Sequence, residues 1–158
     1  MQDGDWMARG DGVARIASPD SARVDLFLGG GFGAASTILI GDSTRTPPGA
    51  RLVDLIPTPP LLWAALGRLA VPALADTVIR VSGDTLRAEV GKPVQWRILA
   101  VGTELRRVER VSGDRIVEFV ERTPASKRVR YELASKRSLE LTIGDAQPAS
   151  FNAAIWHY

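Results

Sequence analysis

Apolar and polar residues alternate along most of this chain. Val24, Leu26 and Leu28 share one face of an extended segment, with Arg23 and Asp25 on the other. Leu86, Ala88 and Val90 alternate with Arg87 and Glu89, and Val94, Trp96 and Ile98 with Gln95 and Arg97. The pattern continues in Val129, Tyr131 and Leu133 against Arg128, Arg130 and Glu132, and in Leu139, Leu141 and Ile143 around Glu140 and Thr142. A period of two marks strands with one dry and one wet face. Antiparallel sheets tolerate a wet face; parallel sheets covered by helices usually do not. Turn signals separate the runs: Ser18-Pro19-Asp20-Ser21, Gly41-Asp42-Ser43, and Val81-Ser82-Gly83-Asp84, which recurs as Val111-Ser112-Gly113-Asp114. Glycine accepts positive φ at little cost, so each copy of the repeat predicts a tight hairpin.

The middle of the chain breaks the pattern. Pro57, Pro59 and Pro60 precede Leu61-Leu62-Trp63-Ala64-Ala65-Leu66-Gly67-Arg68-Leu69, and Pro72 follows. Proline suits a first helical turn and stops a helix downstream, so this stretch predicts a short helix of about ten residues. Only Arg68 in it is charged. A helix apolar almost all round must be buried on most sides. Residues 50–56 predict another helical turn or two. The sum is eight to ten strands and one or two helices. The expected fold is mainly β: a curved antiparallel sheet forming a half-open barrel around an apolar helix or cavity. It forms a single domain over residues 1–158, with a helical lid around residues 50–70. Its interior is either a packed core or a concavity that holds an apolar guest.

Composition narrows the function. The 158 residues are 45% apolar and 24% charged, which fits one globular domain rather than disorder. Twenty basic against eighteen acidic residues leave +2, spread over many segments, so nucleic acid is not an expected partner. There is no cysteine, which excludes disulfides, thiolate catalysis and cysteine metal sites. No run of eighteen apolar residues is present to span a bilayer as a helix. Met1-Gln2-Asp3-Gly4-Asp5 has neither the basic nor the apolar region of a signal peptide.

No catalytic, cofactor or metal constellation emerges. Asp42, Asp84, Asp114 and Asp145 each adjoin a glycine and read as turn residues. Glu118 and Glu121 are candidates to face one another or other carboxylates in space. His157, the lone histidine, sits near the terminus without shelter or an obvious carboxylate partner. No nucleophile elbow, zinc-protease helix or Walker lysine occurs. Gly29-Gly30-Gly31-Phe32-Gly33 is followed by the strand-like Ser36-Thr37-Ile38-Leu39-Ile40, where a phosphate loop would need a helix. The basic stretches 106–110 and 127–137 are interleaved with glutamates and read as solvated strand faces. Arg97, Arg107 and Arg130 are the candidates for contact with lipid phosphate or with a partner that seeks basic residues.

Phe32 stands in a segment otherwise made of glycine. If residues 24–28 and 36–40 pair as a hairpin, Phe32 lies near its tip. It either folds back over the core or protrudes as an apolar finger toward a membrane or acyl chain. Burying one such side chain is worth about 1.5–3 kcal/mol, which suits transient contact rather than anchoring.

The order of features resembles the bacterial lipoprotein-localisation carrier and receptor superfamily, over roughly residues 6–156. The matching text is Trp6-Met7-Ala8-Arg9-Gly10, then Arg23-Val24-Asp25-Leu26-Phe27-Leu28, then Ile56-Pro57, Leu62-Trp63 and Leu66-Gly67. It continues in Trp96, the hairpin from Leu105 to Ile116, Arg130-Tyr131-Glu132 and Ile155-Trp156. The resemblance implies a half-open barrel closed by helices around an apolar cavity. In the receptor branch a Pro-Leu-Gly loop carries an exposed leucine that helps insert lipoproteins. The similar text here is Gly31-Phe32-Gly33, with phenylalanine for the leucine and glycine for the proline.

That resemblance implies binding and transfer of lipoprotein acyl chains or another lipid, without bond chemistry and without a cofactor. The expected lipid-binding residues are Val24, Leu26, Trp96, Ile98, Tyr131 and Leu133 from the sheet, with Leu62, Trp63 and Leu66 from the lid. Phe32 is the expected membrane or cargo contact. The expected state is a monomer in the periplasm or at the periplasmic face of the outer membrane. A lipid anchor, as in the receptor branch, would lie before Met1. Two other readings stand beside it. One is a non-enzymatic structural or interaction module of an envelope assembly. The other is a lipid-acting hydrolase, which would need a buried polar pair involving Glu118 or Tyr131.

Overall fold

Alternation decides which side of each strand is dry, and hydrogen bonding joins those dry sides into one surface. The computed structural model describes residues 7–17, 19–29, 33–48, 56–134 and 138–157. Its strands are β1 (Met7–Ala17), β2 (Ser21–Leu28), β3 (Gly33–Ile40), β4 (Ser43–Arg45), β5 (Val78–Ser82) and β6 (Thr85–Val90). They continue as β7 (Trp96–Val101), β8 (Glu104–Ser112), β9 (Arg115–Thr123), β10 (Arg128–Leu133) and β11 (Ser138–Thr142). All belong to one curved, unclosed sheet in the order β4-β3-β2-β1-β11-β10-β9-β8-β7-β6-β5. Every pairing is antiparallel except that of β1 with β11. The architecture is the expected mainly β half-open barrel, with eleven strands among the described residues rather than eight to ten.

Register joins the apolar faces into stripes. One runs from Ile79 through Ala88, Ile98, Val108, Val120 and Tyr131 to Leu139, each directly opposite the next. Two register shifts interrupt β8 and its partners, between Leu99 and Ala100 and between Arg110 and Val111. A bulge inserts a residue and restores the apolar face after a break in phase. This is why Leu105 and Val108, three positions apart, are both buried.

The one α-helix among the described residues, α1 (Pro59–Ala65), belongs to the connection from β4 at one sheet edge to β5 at the other. It lies against β8, β9 and β10 and buries Leu61, Leu62, Trp63, Ala64 and Ala65. It is seven residues long, shorter than expected, because Leu66 caps it and Gly67 turns left-handed at φ +86°. Pro59 and Pro60 open it as the sequence predicts. The expected helical turn over residues 50–56 lies almost wholly outside the described residues. Both copies of the glycine-aspartate repeat form hairpin turns, with Gly83 and Gly113 at φ +60°.

Candidate functional site

The concave face beneath α1 is the candidate site. Val24 and Leu26 of β2, Tyr131 of β10, and Leu62 and Leu66 from the helix and its cap wall a small apolar cavity. Gly12, Ala14, Pro57, Ala65, Val129, Leu139, Leu141, Thr142 and Ile143 complete the wall. Its volume is about 50 Å³. Ligand pockets run to about 300–1,000 Å³, so this is a seam that must widen to take a long chain. Space remains because β1 presents Gly12 and Ala14 toward it, where larger side chains would fill the gap. A Cβ on Gly12 would already come within 3.1 Å of the Leu26 side chain.

Not every expected residue reaches that seam. Trp96 and Ile98 are buried in the same core but lie outside the cavity wall. Leu133 packs on the core from the edge of Glu118, its cross-strand neighbour. Trp63 turns away: its indole Nε1 donates to the Gly41 carbonyl at 2.8 Å, and Arg68 stacks over its ring at 4.7 Å. Trp63 therefore pins the helix to the turn between β3 and β4. Phe32 lies outside the described residues, although β2 and β3 pair as its hairpin requires.

A polar knot sits in the apolar surface beside the seam. Glu118 of β9 is 2% exposed. Its Oε2 accepts from the Tyr131 hydroxyl at 2.7 Å, and its Oε1 accepts from Thr58 Oγ1 at 3.1 Å and from Arg110 Nε. A buried carboxylate is tolerable when paired and fully hydrogen-bonded, and three donors meet that need here. Burial first, and then the bond to Glu118 and its charge, push the Tyr131 phenol far above its ordinary range. Tyr131 is thus held protonated as a donor.

The knot touches the helix where its dipole matters. Thr58 is the N-cap residue of α1, yet its side chain bonds Glu118 rather than a helical amide. Four residues along β9, the Arg122 guanidinium lies at Gly67, just past the helix C-terminus. α1 carries no acidic residue in its first turn and no basic residue in its last. The strand below supplies both: a carboxylate by the positive end and a guanidinium by the negative end. From the Thr58 cap to Gly67 the helix rises about 13 Å at 1.5 Å per residue, and Glu118 to Arg122 spans about 13 Å of strand, so the two lengths match. Burial foremost, with nearby Arg106, lowers the Arg122 pKa, and Glu104 opposes that shift.

Glu118 and Glu121 do not face one another. Three positions apart on a strand, they point to opposite sides, and Glu121 pairs with Arg107 at 3.2 Å on the convex face. Arg97 and Arg130 also lie on the convex face, near Glu89 at 3.7 Å and paired with Glu132. Asp42 accepts from Ser43 Oγ and Asp84 from Thr85 Oγ1, at 3.3 Å each, as local turn contacts. Asp145 instead binds Lys127 Nζ at 2.7 Å. Among the described residues no group of three or more histidine, aspartate or glutamate side chains could hold a metal.

The sequence singled out Glu118 or Tyr131 for a buried polar pair, and the two are bonded to each other here. It did not join Arg110 and Thr58 to them, because both meet Glu118 only through register and chain crossing. No protein-family model, no curated protein and no solved structure matches the chain.

Proposed function

We propose that this chain binds acyl chains of lipoproteins or another lipid of the bacterial cell envelope and passes them on without bond chemistry. The supporting observation is the apolar seam between α1 and β1, β2, β10 and β11, in a sheet that stays open along one side. Each methylene moved from water into such a seam gains about 0.8 kcal/mol. Between a seam and a bilayer the gain nearly cancels, so release is easy when the seam is slightly the poorer host. Phe32, at the β2–β3 connection, is the proposed transient contact with membrane or cargo. The periplasmic side of the envelope is the proposed location.

The small volume of the seam favours a second reading: a non-enzymatic interaction module with a filled core. One experiment separates them. Native mass spectrometry of the purified protein, followed by denaturing lipid extraction, is expected to show a stoichiometric acyl-bearing adduct. Ala14→Phe, which fills the seam from β1, is expected to weaken that adduct at least tenfold while far-UV circular dichroism stays unchanged. A bare protein that ignores added fatty acids and acylated peptide overturns the carrier reading and leaves the interaction module.

A further inference from the structure

The two free edges of the sheet differ in kind. β4 is short and polar: Ser43, Thr44 and Arg45. β5 is exposed along its whole length, yet it carries Val78 at 48%, Ile79 at 60% and Val81 at 68% exposure. Soluble proteins usually blunt a free edge with charges, proline or a very short strand, because unpaired backbone and apolar side chains invite partners. Here three large apolar side chains gather on one edge, Ile79 and Val81 on the concave side and Val78 on the convex side.

Beside Val78 the convex surface is basic. Arg80, Arg87, Arg97 and Arg107 line a shallow hollow of about 260 Å³ together with Glu89 and Glu109. Arg80 and Arg87 stand directly opposite one another on β5 and β6. Like charges in that position repel unless an anion lies between them. Glu89 is the acidic neighbour of both Arg80 and Arg97, at 3.8 and 3.7 Å, and one carboxylate cannot neutralise two guanidinium groups. Arg107 is satisfied by Glu109 and Glu121. Among the described residues Arg87 has no ion pair.

We propose that the β5 edge is a docking surface for an anionic phospholipid bilayer. Val78, Ile79 and Val81 reach the acyl boundary edge-on, and Arg80, Arg87 and Arg97 meet lipid phosphates. Apolar side chains flanked by long cationic ones suit the bilayer interface, where each basic residue adds attraction to an anionic leaflet. This surface is separate from the seam beneath α1 and does not depend on an acyl chain being bound there.

Flotation of the protein with vesicles tests it, using phosphatidylglycerol–phosphatidylcholine mixtures against pure phosphatidylcholine. Wild-type protein is expected to float with the anionic vesicles, and less so as salt rises and shortens the screening length. Arg80→Ser with Arg87→Ser is expected to weaken binding about fivefold per arginine. Ile79→Ser with Val81→Ser is expected to weaken it about tenfold or more. Both pairs are exposed, so the denaturation midpoint serves as the folding control. Should the apolar pair misfold, the arginine pair still decides.

Failure of wild type to float with anionic vesicles overturns the proposal. So does flotation of both variants like wild type. Loss of flotation in Phe32→Glu alone, with the edge variants intact, overturns it in favour of the β2–β3 connection. Protection of the arginines by inorganic phosphate without vesicle binding overturns it in favour of a small-anion site.

Discussion

Glu118 is one residue on which several elements depend. Its carboxylate joins β8, β9, β10 and the start of α1 through Arg110, Tyr131 and Thr58. Tyr131→Phe removes one donor and leaves a buried oxygen short of a partner. It is expected to lower stability by about 1–3 kcal/mol, read as a shift in urea midpoint at unchanged slope. The same phenol fixes a pH dependence. Its folded pKa lies above the unfolded value of 10.0, so its contribution is complete below pH 10. Above that, the unfolded chain ionises while the folded one does not, and stability falls. Thermal melts from pH 9 to 11.5 are expected to drop more steeply for wild type than for Tyr131→Phe. Asp25 gives the acid-side counterpart. Burial raises its pKa, but bonds from Ser36, Arg23 and Arg15 outweigh burial and hold it below 3.8. Its contribution is present above pH 3.8 and lost as pH falls through the depressed folded value. Asp25→Asn is expected to flatten the acid limb of the stability profile.

At the scale of elements, α1 shows how local and distant causes divide. Pro59 and Pro60 mark its beginning in the sequence, and the following leucines and alanines promise burial. Its end was less legible, because Gly67 reads equally as a weak helical residue or a left-handed terminator. Gly67 adopts φ +86°, and a Cβ there would lie 2.8 Å from Arg122 Nη1. The guanidinium can shift; the backbone strain cannot be relieved so cheaply. Gly67→Ala is expected to cost about 1 kcal/mol in a denaturation experiment. Leu62 and Leu66 reach the seam as the sequence suggests, whereas Trp63 does not. A helix apolar all round reveals that it is buried but not which residue faces which neighbour.

For the molecule as a whole, the decisive contact is the parallel pairing of β1 with β11. It places the first described strand in the interior of the sheet order, between β2 and β11. Removing residues 1–17 therefore divides β2, β3 and β4 from the remaining strands. Such a truncation is expected to lose cooperative unfolding and gain dye-binding apolar surface, seen by denaturant titration and dye fluorescence. Loss of only a local signal would show that the two parts fold independently. Pairing of strands so far apart in sequence also predicts slow folding, in the millisecond-to-second range common to non-local β topologies.

The sequence by itself determined the mainly β class, the inward and outward faces of the alternating strands, the glycine hairpins and the position of the apolar helix. These follow from rules that act over two to four residues: side-chain alternation, proline geometry and glycine's tolerance of positive φ. Only the tertiary structure decided the pairing of β1 with β11, the bulges that bring Leu105 and Val108 to one face, and the meeting of Glu118 with Thr58 sixty residues away. It also decided that β5, rather than β4, is the apolar edge. Those outcomes depend on register, curvature and chain crossing, in which each strand's place is set by partners far along the chain.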